Sequence, residues 1–290
     1  MRSIFAACLL AGLTPGQQSR PGVPPELGRV RWERDYAVAL GLARQQQRPV
    51  FLLFQEIPGC DTCTSFGKDV LSHPLLVPAI EGCFVPVVVR NNVSGQEQKI
   101  LERYAEPAWN NPVVRFVDAQ GDDLLPRADR VWDAHGIATR MVAALRAAKR
   151  PVPGYLLIAR DEHDPATATA VFAMHCFWEG EAVLGALPGV VATRAAFVGS
   201  AEVVEVRFLP ALLPLAELQA QAETRSCKPI VATLLREAEP ADQKHALTGT
   251  PYARLRLTPM QAMRVHAALT LRTDPKLWLT PAQVAALDVR

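Results

Sequence analysis

Nothing in this 290-residue sequence announces a function by abundance. Charge is nearly balanced: 31 Lys and Arg face 29 Asp and Glu, a formal net of +2, so there is no electrostatic reason to expect nucleic acid or an anionic membrane as partner. No apolar run reaches the roughly 20 residues that a membrane-spanning helix needs; the longest uncharged stretch, Ser3–Gln18, is apolar only to about Leu13. A GxGxxG or Walker-type phosphate loop is absent, which removes the usual argument for nucleotide binding. There is no nucleophile elbow. The 6 cysteines are too few for a disulfide-stapled scaffold of this length. Beyond a single CxxC there is no second CxxC or HxxxH to complete a four-ligand zinc site. Against these absences stands a 49% hydrophobic composition with 24 prolines as punctuation, enough for packed cores in about two domains.

At the N-terminus, Arg2 followed by the apolar Ile4–Leu13 has the outline of a secretory signal, though without a small-x-small cleavage site. It favours a periplasmic or secreted protein over a cytoplasmic one. Arg20–Leu27 (RPGVPPEL) reads as a Pro-rich tether, so residues 1–29 are expected to precede the folded part.

The first half alternates element types. Trp32–Gln47 has apolar Tyr36, Leu40 and Ala43 at helical spacing, and Pro49 ends it. Val50–Phe54 (VFLLF) is a continuous apolar run, the signature of a strand buried on both faces. The turn Ile57-Pro58-Gly59 then delivers Cys60-Asp61-Thr62-Cys63, with Ser65–Leu71 continuing as a helix. A cysteine opening a helix meets free N–H groups and the positive end of the helix dipole, which stabilise a thiolate. Cys63 lies one turn on, within reach to resolve a mixed disulfide. The competing reading is half of a zinc knuckle or an inert core pair. It lacks partners: His73, His135 and His163 are scattered in sequence, and Cys83 reads as a small buried hydrophobe.

Further on come a strand Phe84–Val89, a helix Gln96–Tyr104, Asn111-Pro112 before a strand Val113–Asp118, a hairpin to Leu124–Leu125, and a helix over Asp129–Lys149. Residues 30–150 thus resemble the thioredoxin-like family, with Cys60 and Cys63 as its redox pair and Pro112 as the cis-proline facing it. PGCDTC departs from that family's usual box. It resembles the VPGU-type thioredoxin-like (seleno)proteins, in which selenocysteine stands in place of Cys60.

After a linker over residues 151–168, which contains a possible strand Tyr155–Arg160 and a solvated turn DEHDP, the second half runs over 169–290. Cys176 again follows a strand, Ala170–His175, and precedes a helix, Glu179–Leu187, so the same dipole argument applies. Phe177 and Trp178 beside it could form an aromatic pocket, or the trio could be plain core packing. Val190–Val198 and Ala201–Leu209 read as strands, Ala211–Ala222 and Pro259–Leu271 as helices, and Arg254, Arg256 and Arg264 as a solvated face.

The run HCFWEGE, then LPGV, then AEVVEV, then GTPY resembles the A-type peptide-methionine sulfoxide reductases over about Val171–Leu271. That resemblance implies Cys176 as nucleophile, Glu202 as the acid that protonates the departing oxygen, and Phe177, Trp178 and Tyr252 as substrate-binding residues. Departures include His175 and Glu179 in place of glycines, a loop cut to Gly199-Ser200, Leu247 in place of an Asp, and no C-terminal recycling cysteines, the last being Cys227. The expected fold is therefore α/β, a thioredoxin-like domain followed by an α+β two-layer sandwich of the reductase (ferredoxin-like) type.

The expected function is reduction of methionine (S)-sulfoxide through a sulfenic acid on Cys176, recycled by Cys60 and Cys63, with Cys227 as a possible intermediate thiol. Oxidised methionine and thioredoxin or another dithiol would be the partners. Neither cofactor nor metal is implied. Two other readings stay open: a thiol–disulfide oxidoreductase whose second half only binds a client, and a non-enzymatic redox sensor.

Overall fold

The computed structural model describes residues 22–232, 234–239 and 246–288. The signal-like stretch Ile4–Leu13 lies outside the described residues.

The first half is built on a short sheet. Helix α1 (Tyr36–Gln46) starts later than its apolar spacing suggests because Asp35 caps it, accepting from the N–H groups of Ala37 and Val38. Strand β1 (Val50–Gln55) is buried along its whole length. It pairs in parallel with β2 (Val85–Arg90) and antiparallel with β3 (Val113–Val117), giving the order β2-β1-β3. Strand periodicity sends Phe51 and Leu53 to one face, where they meet Phe84 and Phe116. Leu52 and Phe54 go to the other face, against Ala39, Leu40 and Ala43 of α1. Helices α2 (Asp61–Asp69), α3 (Leu76–Cys83) and α5 (Ala134–Ala147) bury their apolar sides in the first of these cores, and α4 (Gln96–Arg103) covers the second. Helix α5 begins at Ala134, not near Asp129, because Asp133 is its cap. The expected strand at Leu124–Leu125 reduces to one bridge, Val117 with Asp123.

Two segments read as connectors turn out to be packed. In the tether, Pro25–Leu27 forms a 3-10 turn seated on α2, with Glu26 and Leu27 buried. Gly67 permits that approach, since a Cβ there would strike the Pro25 carbonyl. The Tyr155–Arg160 run is not a strand but part of helix α6 (Gly154–Glu162). An apolar run this short does not distinguish the two by itself. Here Tyr155, Leu156, Ile158 and Ala159 join the first core beside α5. The same core takes in Val191, Leu209 and Met260 from the second half.

The second half holds a five-stranded sheet: β4 (Ala168–Ala173), β5 (Val190–Val198), β6 (Ala201–Phe208), β7 (Lys228–Ile230) and β8 (Arg236–Glu237), in the antiparallel order β7-β4-β6-β5-β8. Helix α7 (Phe177–Gly185) packs on β5 and β6, and α9 (Pro259–Thr270) on α7 and β5. Helix α8 (Leu215–Glu223) sits by β7, and α10 (Pro281–Leu287) ends the described chain. Capping boxes at Thr258 and Thr280 start α9 and α10. Arg264 corrects the reading of a solvated arginine face. It is 4% exposed, and its guanidinium donates to the carbonyls of Gly185, Leu187 and Val190 at 2.7–3.0 Å, tying α9 to the C-terminal end of α7. Among the described residues no helix is long and apolar enough to cross a membrane.

Candidate functional site

Strand β1 aims the chain at the first cysteine pair. Past Gln55 the turn contains a cis Ile57–Pro58 bond, and Cys60 becomes the N-cap of α2 with no side chain capping that helix. Cys60 is exposed and Cys63 buried; both are free thiols, with sulfurs 3.5 Å apart. The amide N–H groups of Cys63 and Thr62 point at the Cys60 sulfur and hold its thiol below the ordinary range, against a smaller opposing effect of burial. Burial does the reverse to Cys63, pushing it up to about 12, with the neighbouring Cys60 adding to the rise. Cys63 has one proton to donate, and Asn111 Oδ1 is the nearer acceptor at 2.6 Å. Asn111 precedes Pro112, and their peptide bond is cis, so the Asn111-Pro112 turn faces the pair as its resemblance implies.

Behind the cysteines lies a polar support that sequence reading missed. The Gly59 N–H donates to Glu26 Oε1 at 2.7 Å. Gln55 Nε2 donates to the carbonyls of Glu26 at 3.0 Å and Cys63 at 3.2 Å. Nothing local in PPEL signals this, because Glu26 reaches the turn only through the packing of Pro25–Leu27 on α2. Glu56, half-buried, places a carboxylate oxygen within 4.8 Å of both sulfurs.

The second cysteine also caps a helix. Cys176, half-buried, is the N-cap of α7. Glu202 on β6 reaches across from the neighbouring strand, and its Oε2 accepts from the Phe177 N–H at 2.7 Å. Cys176, Trp178 and Glu179 line a cavity of about 340 Å³ together with Ala246, His266 and Thr270. Two of the expected substrate residues do not line it. Phe177 is 2% exposed and stacks edge-on with Phe197 in the core, because position 177 faces the sheet while Trp178 faces out. Tyr252 sits in the separate 3-10 turn Pro251–Arg254. His266, buried in α9 with Nδ1 accepting from Ala246 N–H at 3.1 Å, is a cavity residue with no sequence signal; a lone histidine on a helix looks like core.

Other thiols and imidazoles change standing. Cys227 is 2% exposed within the second-half core, and burial raises its thiol, which is the environment of a packing residue. Cys83 is half-buried, and its thiol is held up by burial despite a hydrogen bond with Tyr155. His73 and His163, distant in sequence, meet with Nε2 atoms 3.1 Å apart. Asp161 of the expected solvated turn is 6% exposed and paired with Arg160.

The family model described as thioredoxin-like matches residues 31–119. This segment is a thioredoxin-like domain. It contains β1, the cysteine pair, β2 and β3. Among solved structures, one titled DsbH oxidoreductase is 23% identical, over 48% of this chain and 96% of its own, at a TM-score of 0.35. A solution structure of a thioredoxin from Thermus thermophilus is 30% identical, over 30% of this chain and 63% of its own, at a TM-score of 0.26. No curated protein matches the chain.

Proposed function

We propose that this protein exchanges dithiols for disulfides through Cys60 and Cys63. The observation that carries this reading is the pairing of an exposed sulfur at the start of α2 with a buried one 3.5 Å behind it. Cys60 as thiolate attacks one sulfur of a client disulfide, and the other client sulfur leaves as thiolate. Cys63 then gives up its proton and attacks Cys60, releasing the second client thiol and leaving a Cys60–Cys63 disulfide. Forming the mixed disulfide removes the Cys60 charge that helps keep Cys63 protonated, so the resolving thiol becomes easier to ionise when it is needed. Export, supported by Arg2 and the apolar Ile4–Leu13 stretch, would place this exchange in the periplasm or outside the cell. The test is reduction of insulin disulfides. Activity should vanish in Cys60→Ser, while Cys63→Ser should accumulate mixed disulfides; full activity in Cys60→Ser overturns the reading.

A second activity at Cys176 is favoured by one specific observation, the Glu202 carboxylate bonded to the first amide after the cysteine. In this reading Cys176 attacks a methionine (S)-sulfoxide sulfur, Glu202 supplies a proton to the oxygen, and the products are the thioether and a Cys176 sulfenic acid. Cys60 attacks that sulfenic sulfur with loss of water, and Cys63 resolves the bond, so the net electrons come from the dithiol. Thioredoxin or another dithiol then reduces the Cys60–Cys63 disulfide. Trp178 supplies the apolar wall. Phe177 supports it from the core, and Tyr252 would have to reach the cavity from its own turn. Incubating the protein with each diastereomer of a methionine sulfoxide and a dithiol tests it; no thioether from either, in a protein that still reduces insulin, removes the second activity and keeps the first.

A further inference from the structure

We propose that the reduced cysteine pair, together with Glu56, is a binding site for one thiophilic divalent cation of the zinc type. The sequence lacks the second CxxC or HxxxH pair of a four-ligand zinc knuckle, but a carboxylate can also ligate zinc. The turn after β1 brings a third ligand from four residues ahead of Cys60: a Glu56 carboxylate oxygen and the two sulfurs all lie within 4.8 Å of one another. Zinc binds thiolate at about 2.3 Å and carboxylate at about 2.0–2.2 Å in a tetrahedron, so its ligand atoms sit roughly 3.5–3.8 Å apart. The sulfurs are already at 3.5 Å. Glu56, half-buried on a turn, completes the face by closing from within 4.8 Å of the sulfurs to about 3.5–3.6 Å.

Among the described residues no fourth His, Cys, Asp or Glu joins this group. Cys60 is exposed, so water or a small ligand can occupy the fourth position, and a metal can enter without unfolding the turn. Two sulfurs and one oxygen suit zinc or cadmium and disfavour magnesium or calcium, which take oxygen alone. A bound cation would occupy both thiolates and block disulfide exchange, so metal availability would gate the redox pair. The site stands on the geometry of the reduced pair and does not require that exchange be the protein's activity.

The probe is Cd²⁺ titrated into the reduced full-length chain, followed by sulfur-to-metal charge-transfer absorption in the ultraviolet, with Zn²⁺ affinity measured by competition with a chromophoric chelator. One equivalent should bind to the reduced protein and none after oxidation to the disulfide. Glu56→Gln, with an unchanged circular dichroism spectrum, should weaken binding by about tenfold or more. Cys176→Ser should bind the same single equivalent, which places the ion at the first pair. No charge-transfer band in the reduced protein, equal binding by the oxidised protein, or equal affinity in Glu56→Gln each overturns the proposal. Insulin reduction in a chelating buffer reports on exchange separately, and its failure would leave the metal site standing.

Discussion

Cys60 and Cys176 occupy the same local position, the N-cap of a helix that follows a strand, yet their surroundings divide the helix amides differently. At α2 the free N–H groups of Thr62 and Cys63 serve the Cys60 sulfur itself. At α7 the first N–H, that of Phe177, is taken by the Glu202 carboxylate. One helix end therefore stabilises a thiolate beside a second thiol, and the other holds a carboxyl beside a lone thiol. A helix N-terminus offers unpaired N–H donors to any acceptor; which acceptor they meet depends on what the rest of the fold places there.

The largest expected effect is a crossed loss of activity. Cys60→Ser should lower insulin reduction at least about a thousandfold while Cys176→Ser leaves it intact. Sulfoxide reduction assayed with excess small dithiol should show the opposite dependence. If one substitution abolishes both, the two cysteines are not separate sites.

Next in size, Glu202→Gln keeps an acceptor for the Phe177 N–H but removes the proton donor. Sulfoxide reduction should fall about a hundredfold or more, with thermal stability nearly unchanged. A matching drop in melting temperature would instead assign Glu202 to capping alone.

Gly67→Ala sharpens the comparison from the other side. The added methyl strikes the 3-10 turn that carries Glu26, and overpacking of this kind costs about 1–3 kcal/mol. Denaturant unfolding should show that loss, and alkylation of Cys60 should change in rate because the Gly59 N–H loses its partner. An unaltered stability would mean the turn is not seated on α2.

A final test concerns the contact between His73 and His163 at the end of α6. Burial lowers His73 from 6.5 to about 4, with His163 adding repulsion. The unfolded chain then binds more protons than the folded one between those values, so stability is full above about pH 6.5 and is lost as pH falls towards about 4. In His73→Gln that pH slope should flatten. A slope identical to the parent's would show that this imidazole does not report on the contact.

Much of the first half was legible because its signals are local. VFLLF is buried on both faces, as a continuous apolar run implies. CxxC sits where a strand meets a helix, and Asn111-Pro112 faces it. The failures have a common cause. The helix at Tyr155–Arg160, the seated turn at Pro25–Leu27, the buried Arg264 and the His73–His163 contact all depend on which surface each segment found, and periodicity within the segment does not encode that. At the second site Glu202 bonds to the amide of Phe177, next to Cys176, while Trp178 lines the cavity and Phe177 does not, since adjacent residues 177 and 178 lie on different sides of α7.

What the sequence determined by itself is the set of elements that close on near neighbours: the apolar strands and the two cysteines one helical turn apart. Only the tertiary structure decided which distant side chains meet them. Glu26 beneath the first pair and His266 in the cavity of Cys176 come from segments tens of residues away. The reason is physical: a hydrogen bond or a backbone turn is specified within a few residues, whereas burial is specified by whatever apolar surface remains to be covered once the chain has collapsed.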